Sequence, residues 1–271
     1  MPESLMPESL ASEERMLVAA AEAAADVARA VIRPLFRAPL AADLKADSSP
    51  VTIADRTAEQ AMRAVLSERF PGHGILGEEF GHDRPGASHQ WVLDPVDGTK
   101  AFITGRPLFG TLIALLRDGV PVLGIIDQPI TGERWVGVAG QPTRFTGAHG
   151  RPGCRPCPTL DRAELSCTSP GVFGHGDEAK WDRLAPRVGR VTWGGDCYNY
   201  GLLALGLVDI VADSTMKLWD WAALVPVVEG AGGRMTDWAG RPLRADGDGR
   251  VLAVGDPALL PEVTGLLREG S

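Results

Sequence analysis

The stretch that decides the fold is Trp91-Val92-Leu93-Asp94-Pro95-Val96-Asp97-Gly98-Thr99-Lys100. Its first three residues are apolar and favour a buried strand. Pro95 and Gly98 are expected to take the backbone out of the sheet ladder. The sequence therefore predicts that Asp94 and Asp97 lie on a tight turn at the carboxyl end of a strand. Gly98 and Thr99 are expected to open the helix that follows.

This turn offers oxygen atoms to a cation. Asp94, Asp97 and the carbonyl between them at Val96 form the all-oxygen donor set that Mg²⁺ prefers. The N–H groups at the start of the next helix can bind a phosphate. A ligand-free hydrophilic turn explains the stretch equally well, because Asp, Pro and Gly are common in turns. The choice depends on whether other acidic groups converge on the same place.

The composition limits the classes of function. The chain has 271 residues, of which 44% are hydrophobic and 23% charged, and a formal net charge of −8. The acidic balance argues against nucleic-acid binding, because a phosphate backbone attracts basic surfaces. No apolar run approaches the roughly 20 residues of a membrane span, and the N-terminus lacks the basic region of a secretory signal. We expect a cytoplasmic protein without nucleic-acid or membrane partners.

The four cysteines predict no metal site. Cys154 and Cys157 have the spacing of half a zinc site, but Cys167 and Cys197 are isolated and supply no second pair. Reduced loop thiols, as in a cytoplasm, are the expected state.

The chain is predicted to have three parts. Residues 1–5 recur as residues 6–10, and residues 1–11 are expected to be disordered. Residues 12–150 are predicted to form an N-terminal α+β half with the metal site. A segment rich in Pro, Gly, Cys and Arg over 147–160 is the predicted boundary. Residues 151–271 are predicted to form a C-terminal α/β half that contributes Asp220 and the substrate pocket.

Apolar periodicity and turn residues predict the individual elements. Helices are predicted over 12–36 and 55–70, and strands over 91–93, 108–116, 120–127, 134–138 and 143–145. In the second half strands and helices alternate, with strands over 163–168, 190–193, 208–212 and 251–254 and helices over 177–186, 197–205, 219–230 and 257–267. This alternation predicts a layered α/β architecture.

Further carboxylates lie where they could join the turn. Asp55 begins the second helix, Glu78 and Glu79 follow a short predicted strand, and Asp220 begins a helix in the second half. Each has a simpler explanation: Asp is a good helix N-cap, and charged residues are common at strand ends. Lys45 and Asp47, before the second helix, are expected to be only a solvated loop pair.

The ordered set of motifs resembles the inositol monophosphatase family. The motifs are Gly77-Glu78-Glu79, Trp91-Val-Leu-Asp94-Pro-Val-Asp97-Gly-Thr99, and Trp219-Asp220 followed by Gly230-Ala-Gly-Gly233. Their order and spacing match over nearly the whole chain from about residue 12. The resemblance implies an αβαβα sandwich of two sheets and helical layers, that is, a layered α/β (α+β) fold. It also implies a homodimer.

The second half looks like the histidinol-phosphatase branch of that family. The residues that carry this closer likeness are Lys100-Ala-Phe-Ile-Thr-Gly-Arg106-Pro107, Gly194-Gly-Asp196-Cys197-Tyr198 and Lys217-Leu-Trp219-Asp220-Trp221-Ala-Ala-Leu-Val-Pro226. One departure is Asp213, where many relatives have Glu facing the substrate alcohol. The shorter side chain changes the reach by about 1.5 Å, so the substrate is less well defined than the reaction.

The resemblance implies a role for each site residue. Two or three Mg²⁺ ions, or Mn²⁺ as substitutes, would be held by Glu78, Asp94, the Val96 carbonyl, Asp97 and Asp220. Thr99 hydrogen-bonded to Asp55 would orient the attacking water, with Glu79, or alternatively Glu78, assisting. The N–H groups of Gly98 and Thr99 would bind the phosphoryl oxygens. The substrate contacts would come from Asp196 and Asp213, although Asp196 could instead be only the N-cap of the helix that begins at Cys197. Lys217 and Arg106 are further candidates, which could contact the phosphate or be only charges at the rim of the site.

These roles predict a Mg²⁺-dependent phosphomonoester hydrolase for a small-molecule phosphate ester. L-Histidinol phosphate is the first candidate, because Asp196 and Asp213 would match its amine. The alternatives with the same chemistry are inositol phosphate and fructose 1,6-bisphosphate or another sugar phosphate. An alternative of another class is a non-catalytic protein that binds a metal or phosphate ligand on the same scaffold.

Overall fold

The computed structural model describes residues 8–39, 43–44, 50–174 and 176–268. The helices are α1 Glu8–Leu35, α2 Ile53–Arg69, α3 Thr99–Ile103, α4 Asp177–Leu184, α5 Cys197–Ala204, α6 Leu218–Trp221, α7 Leu224–Gly230 and α8 Leu260–Arg268. The strands are β1 Asp43–Leu44, β2 Pro50–Val51, β3 Gly74–Gly77, β4 Gly81–Asp83, β5 His89–Asp97, β6 Gly110–Arg117, β7 Val120–Asp127, β8 Arg134–Val138, β9 Arg144–Thr146, β10 Glu164–Cys167, β11 Arg190–Trp193, β12 Ile210–Asp213, β13 Arg234–Thr236 and β14 Val251–Val254.

Two larger sheets dominate the described chain, and each comes from one half of the sequence. The seven-stranded sheet has the order β4-β3-β5-β6-β7-β8-β9, with β3 and β5 parallel and the other neighbours antiparallel. The five-stranded sheet has the order β11-β10-β12-β14-β13 and mixes parallel and antiparallel pairs. β1 and β2 form a separate small ribbon.

The elements stack in five layers. Helices α1 and α2 cover one face of the seven-stranded sheet in the first apolar core. Helices α5 and α7 lie between the two sheets in the second core, and α4 and α8 cover the outer face of the five-stranded sheet in the third. The predicted αβαβα sandwich is confirmed.

Glycines in the large sheet let the middle layer approach closely. A Cβ on Gly124 of β7 would lie 2.0 Å from the Ala223 carbonyl oxygen, and one on Gly137 of β8 would lie 2.3 Å from the Pro226 carbonyl. Side chains there would push α7 off the sheet. Because α6 and α7 are consecutive, this close approach helps to set the height of Asp220 above the sheet.

The strand that carries the key turn is longer than predicted. β5 continues through Asp94 to Asp97, which pair with Leu112 and Gly110 on β6 across an irregular register. We expected Pro95 to end the strand, but it lies in this bulge. The Thr111 hydroxyl donates a hydrogen bond to the Pro95 carbonyl at 2.8 Å. A bulge tolerates a proline because the missing N–H is not needed there.

Other boundaries also differ from the predictions. α1 begins at Glu8, four residues before the predicted start, and the disorder predicted for residues 1–11 stays a prediction. Residues 1–7, Lys45 and Asp47 lie outside the described residues. The helix predicted over 219–230 is two helices. Pro226 has no N–H for the Ala222 carbonyl, so the helical ladder is interrupted at that point. The short strands β4 and β13 were not predicted, because three-residue polar strands carry little periodicity.

Within the part of the chain that the structure describes, no helix has the length and apolarity that crossing a bilayer requires.

Candidate active site

Three carboxylates converge where β5 meets α6. Asp94, Asp97 and Asp220 each place an oxygen within 4.8 Å of the others. The first two lie at the end of β5, and α6 packs against that strand. The Val96 N–H donates to Asp94 Oδ1 at 3.0 Å, and the Lys217 N–H donates to Asp220 Oδ2 at 2.6 Å. Local backbone hydrogen bonds therefore fix the direction of both side chains.

The cluster is electrostatically unfavourable as a set of bare carboxylates. Burial raises the pKa of Asp94 well above its ordinary range, and the charges of Glu78, Asp97 and Asp220 and a hydrogen bond with Glu78 raise it further. Burial and the charges of Asp196 and Asp220 likewise raise the pKa of Asp97. Like charges at such short range favour protonation unless a cation compensates them. Three converging carboxylates, with Glu78 hydrogen-bonded to one of them, are a donor set that suits a hard divalent ion.

Thr99 lies beside the cluster and is held by the start of α2. Its hydroxyl is 3.3 Å from Asp55 Oδ1 and 3.1 Å from the Val96 carbonyl oxygen. Asp55 is not the N-cap but the third residue of the helix, where Oδ2 accepts from the Thr52 N–H and hydroxyl in a capping box. One carboxylate thus completes the capping box with Oδ2 and contacts Thr99 with Oδ1. The simple N-cap explanation of Asp55 is wrong in detail, and its role in orienting water stays a prediction.

Glu78 and Glu79 lie on the turn after β3, and both are half-buried. The Glu78 N–H donates to the Leu93 carbonyl at 3.1 Å, which ties the turn to β5. Glu78 is the glutamate that hydrogen-bonds Asp94. Glu79 is held through its backbone N–H by Glu59 of α2.

Asp196 faces the cluster from the second half of the chain. It precedes α5 with a positive φ of 43° and makes no side-chain cap to that helix, contrary to the simple N-cap explanation. Its carboxylate lies against Gly98, where an added Cβ would come within 2.9 Å of Oδ2. Burial and the charge of Asp213 raise the pKa of Asp196 to about 7, against an opposing effect of Lys100.

Asp213 is buried at the end of β12, and protein donors contact both of its oxygens. Oδ1 accepts from the Thr168 N–H at 2.9 Å and from Cys167 Sγ at 3.2 Å, and Oδ2 accepts from the Tyr200 hydroxyl at 3.0 Å. A cavity of about 130 Å³ adjoins it and is also lined by Asp97, Asp196 and Asp220. The predicted substrate contact of Asp213 stays a prediction, whereas its hydrogen bonds show that it organises the floor of the cavity.

Two of the predicted substrate contacts are basic residues on the surface. Lys217 and Arg106 both have exposed side chains, the first just before α6 and the second on the loop after α3. Gly98 is the N-cap residue of α3 with a φ of 95°, which a non-glycine residue would adopt only with strain. The phosphate contacts of Gly98 and Thr99 stay predictions. Cys154 and Cys157 are free thiols.

The family follows from a comparison over almost the full chain. Residues 12–269 match the sequence profile of the inositol monophosphatase family. The chain belongs to this family. A solved inositol monophosphatase from Zymomonas mobilis is similar in fold, with a TM-score of 0.85 and 53% identity, covering 94% of this chain and 98% of that one.

Relatives of this chain are named for different phosphatase activities. The bifunctional phosphatase IMPL2, chloroplastic, of Arabidopsis thaliana is 51% identical over 199 residues, which are 73% of this chain and 57% of that protein. The aligned part thus spans little more than half of that relative. A histidinol-phosphatase of Mycobacterium tuberculosis is 40% identical over 205 residues, covering 74% of this chain and 79% of that protein.

Sequence reasoning missed two contributors to the site. The Cys197 N–H donates to Asp97 Oδ2 at 2.6 Å, and no sequence signal marks a backbone donor. Glu59 supports the Glu78–Glu79 turn and did leave a signal. It interrupts the apolar face of α2 formed by Ala58, Met62 and Leu66, and a charge on a buried helix face needs a partner.

Proposed function

We propose that this protein is a Mg²⁺-dependent phosphoric monoester hydrolase that acts on L-histidinol phosphate. The observation that carries the proposal is the convergence of Asp94, Asp97 and Asp220 beside a Thr99 hydroxyl that contacts Asp55. A protein that only binds a metal has no use for the second feature. Membership of a phosphatase family supports the reaction class.

The residues present fit a magnesium centre. Glu78, Asp94, the Val96 carbonyl, Asp97 and Asp220 would hold two or three ions. Burial and the neighbouring carboxylates raise the pKa values of Asp94 and Asp97, and a bound cation would offset this effect. When bound, Mg²⁺ supplies Lewis-acid activation of water and neutralises charge on the departing ester oxygen. Mn²⁺ would serve as a substitute, since it also accepts oxygen ligands.

The chain's own groups would orient the water. With the Val96 carbonyl assigned to the metal, Thr99 Oγ1 would donate its one hydrogen to Asp55 Oδ1. A lone pair of the same hydroxyl would then accept a hydrogen bond from the attacking water. Asp55 would receive the displaced proton through Thr99, with Glu79 assisting from the neighbouring turn. The N–H groups of Gly98 and Thr99 would bind the phosphoryl oxygens. This arrangement hydrolyses the ester without a covalent protein intermediate.

Substrate recognition would depend on an acidic cavity opposite the phosphate. Asp196 lies against Gly98 and lines the same cavity as Asp97, so its carboxylate can meet an ammonium group a short distance from the phosphate. Asp213 adds negative charge behind it, and Lys217 and Arg106 would supply the remaining substrate contacts. The histidinol-phosphatase among the relatives supports this choice.

A second candidate substrate is inositol monophosphate. It is favoured by the 53% identity to the solved structure named as an inositol monophosphatase. A polyol would need hydroxyl partners where the cavity presents Asp196 and Asp213, which is why we place it second. Fructose 1,6-bisphosphate or another sugar phosphate would meet the same difficulty.

The test is phosphate release from a panel of L-histidinol phosphate, inositol 1-phosphate and fructose 1,6-bisphosphate with Mg²⁺. We expect the largest kcat/KM for histidinol phosphate. A larger value for inositol phosphate would replace the substrate and keep the reaction. No release from any ester, together with metal binding, would leave the non-catalytic binding protein as the explanation. That the protein is a homodimer stays a prediction, which sedimentation velocity tests. A cytoplasmic location also stays a prediction.

A further inference from the structure

Glu59 is a fully buried carboxylate outside the cluster described above. Its side chain is 0% exposed, and it lies on the face of α2 that packs with Ala58, Met62 and Leu66. Burial of a charge is unfavourable unless the group is paired and hydrogen-bonded. An apolar residue of similar volume would fit an ordinary helix–sheet contact better, so the contacts of Glu59 indicate what the carboxylate does there.

Those contacts all concern the turn that follows β3. Glu59 Oε2 accepts from the Glu79 N–H at 2.7 Å, and Oε1 accepts from the Phe80 N–H at 3.2 Å. Arg63 Nε donates to Oε1 at 2.7 Å, and Arg63 Nη2 also donates to the Gly81 carbonyl. The carboxylate and its arginine thus hold three successive residues of the turn by their backbone atoms.

Gly77 makes this contact sterically feasible. A Cβ at that position would lie 1.9 Å from Glu59 Oε1, far inside any van der Waals separation. Glu59 therefore reaches the turn by passing directly over the last residue of β3. The Glu78 N–H is fixed from the other side by the Leu93 carbonyl of β5, so the backbone around Glu78 is restrained on both sides.

The same helix holds the other half of the catalytic geometry. Asp55, which contacts Thr99, is four residues before Glu59 and therefore one turn away on the same face of α2. One rigid helix sets Thr99 through Asp55 and the Glu78–Glu79 turn through Glu59. Asp55 and Glu59 are separated by about 6 Å along the helix axis. This fixed spacing restrains the position of the Thr99 hydroxyl relative to the two glutamates.

We propose that Glu59 is a positioning residue that places the Glu78–Glu79 turn for metal binding, with Arg63 as its partner. The inference rests on the phosphatase function proposed above. A neutral amide cannot replace the carboxylate, because Glu59 accepts hydrogen bonds from the turn and from Arg63 at once and a Gln would present a donor to one of them. Loss of such support behind metal ligands typically weakens metal affinity about 10- to 100-fold.

The experiment compares the full-length wild type with Glu59→Gln, Arg63→Gln and Glu68→Gln. Glu68 is an exposed residue of the same helix, so its variant removes the same charge without touching the turn. Mn²⁺ binding is measured by electron paramagnetic resonance, the melting temperature without metal by calorimetry, and the Mg²⁺ dependence of phosphate release by kinetics.

We expect the Mn²⁺ Kd to rise about tenfold or more in Glu59→Gln and in the same direction in Arg63→Gln, with Glu68→Gln unchanged. The Mg²⁺ concentration for half-maximal activity should rise in parallel. A lower melting temperature with an unchanged Mn²⁺ Kd would show that Glu59 only stabilises the fold and would overturn the inference. If Glu59→Gln does not fold, Arg63→Gln decides, because Arg63 is partly exposed.

The outcomes also separate this inference from the proposed function. A wild type that binds no Mn²⁺ and releases no phosphate would refute the function. A wild type that binds Mn²⁺ and hydrolyses the ester normally, with Glu59→Gln and Arg63→Gln matching it, would refute the positioning role alone.

Discussion

The carboxylate of Asp97 accepts a hydrogen bond from the backbone N–H of Cys197 at 2.6 Å, although the two residues are 100 positions apart. Asp97 thereby satisfies a free N–H at the start of α5, which is normally the function of an N-cap side chain. Asp196, the residue in the N-cap position, makes no such bond and instead faces Gly98. The contact joins the Asp97 carboxylate of the first half directly to the start of α5 in the second half.

Asp94→Asn is expected to abolish hydrolysis while keeping the fold. Asn resembles the protonated form that burial and Glu78 already favour at Asp94, so the melting temperature without metal should not fall. Activity should decrease by more than about 100-fold, beyond the effect of losing a residue behind a metal ligand. Phosphate release and calorimetry with and without Mg²⁺ measure both effects.

The stabilisation of the wild type by metal is the reference for Asp94→Asn. Metal at about 100 times its Kd should stabilise the wild type by about 2.7 kcal/mol, and Asp94→Asn should lose most of this gain. Asp161→Asn, at an exposed position, should behave as the wild type. A variant that retains the full Mg²⁺-dependent rise in melting temperature would argue against Asp94 as a ligand.

Thr99→Val should separate water orientation from metal binding. The valine keeps the shape of Thr99 but removes the hydroxyl that contacts Asp55. We expect kcat to fall by about 10²- to 10⁴-fold, as for loss of a general acid–base group, with the Mn²⁺ Kd unchanged. Steady-state kinetics and Mn²⁺ titration measure the two quantities. Thr104→Val, at the exposed end of α3, is the control, and equal activity in both variants would contradict the assignment.

Asp196→Asn tests the substrate contact. The amide has nearly the size and shape of the carboxylate but loses the charge that would meet an ammonium group. A hydrogen bond to a charged group contributes about 1.5–3 kcal/mol, so kcat/KM for histidinol phosphate should fall roughly 10- to 150-fold. The value for a neutral sugar phosphate should change little. If both substrates lose the same factor, Asp196 does not select the amine.

Asp177 at the start of α4 should contribute a pH-dependent part of the stability. Burial alone would raise its pKa, but hydrogen bonds from Ser214, Lys180 and Arg250 outweigh burial and hold the pKa below its ordinary range. A carboxylate with a lowered pKa stabilises the fold above the unfolded pKa of about 3.9. It loses this contribution as the pH falls through the folded value.

For Asp177→Asn we therefore expect the free energy of unfolding at pH 7 to fall by about 1.5–3 kcal/mol. The difference from the wild type should shrink as the pH falls below about 4. Urea titrations at several pH values measure it, with exposed Asp182→Asn of the same helix as the control. A difference that does not depend on pH would assign the loss to packing rather than to charge.

The elements with strong local patterns were predicted closely. The bounds of β7, β8, β11 and β14 agree with the predictions, because apolar runs between Gly and Asp turns leave few alternatives. The predictions of element boundaries were wrong around two prolines, where the effect of the missing N–H depends on the surrounding backbone. Pro95 is accommodated in a bulge of β5, and Pro226 divides one predicted helix into two. A proline lacks a backbone N–H, and the local sequence pattern does not show which carbonyl that N–H would have bonded.

The sequence by itself determined the family and the oxygen-rich character of this segment, because Asp94, Val96, Asp97 and Thr99 lie within six consecutive residues and local spacing alone brings their oxygen atoms together. Only the tertiary structure decided which distant groups support them. The Cys197 N–H on Asp97, the Glu59 carboxylate on the Glu78–Glu79 turn and the donors that hold Asp213 come from elements packed across a helix–sheet contact or between sheets. Such partners depend on how the layers pack, which no local spacing of residues encodes.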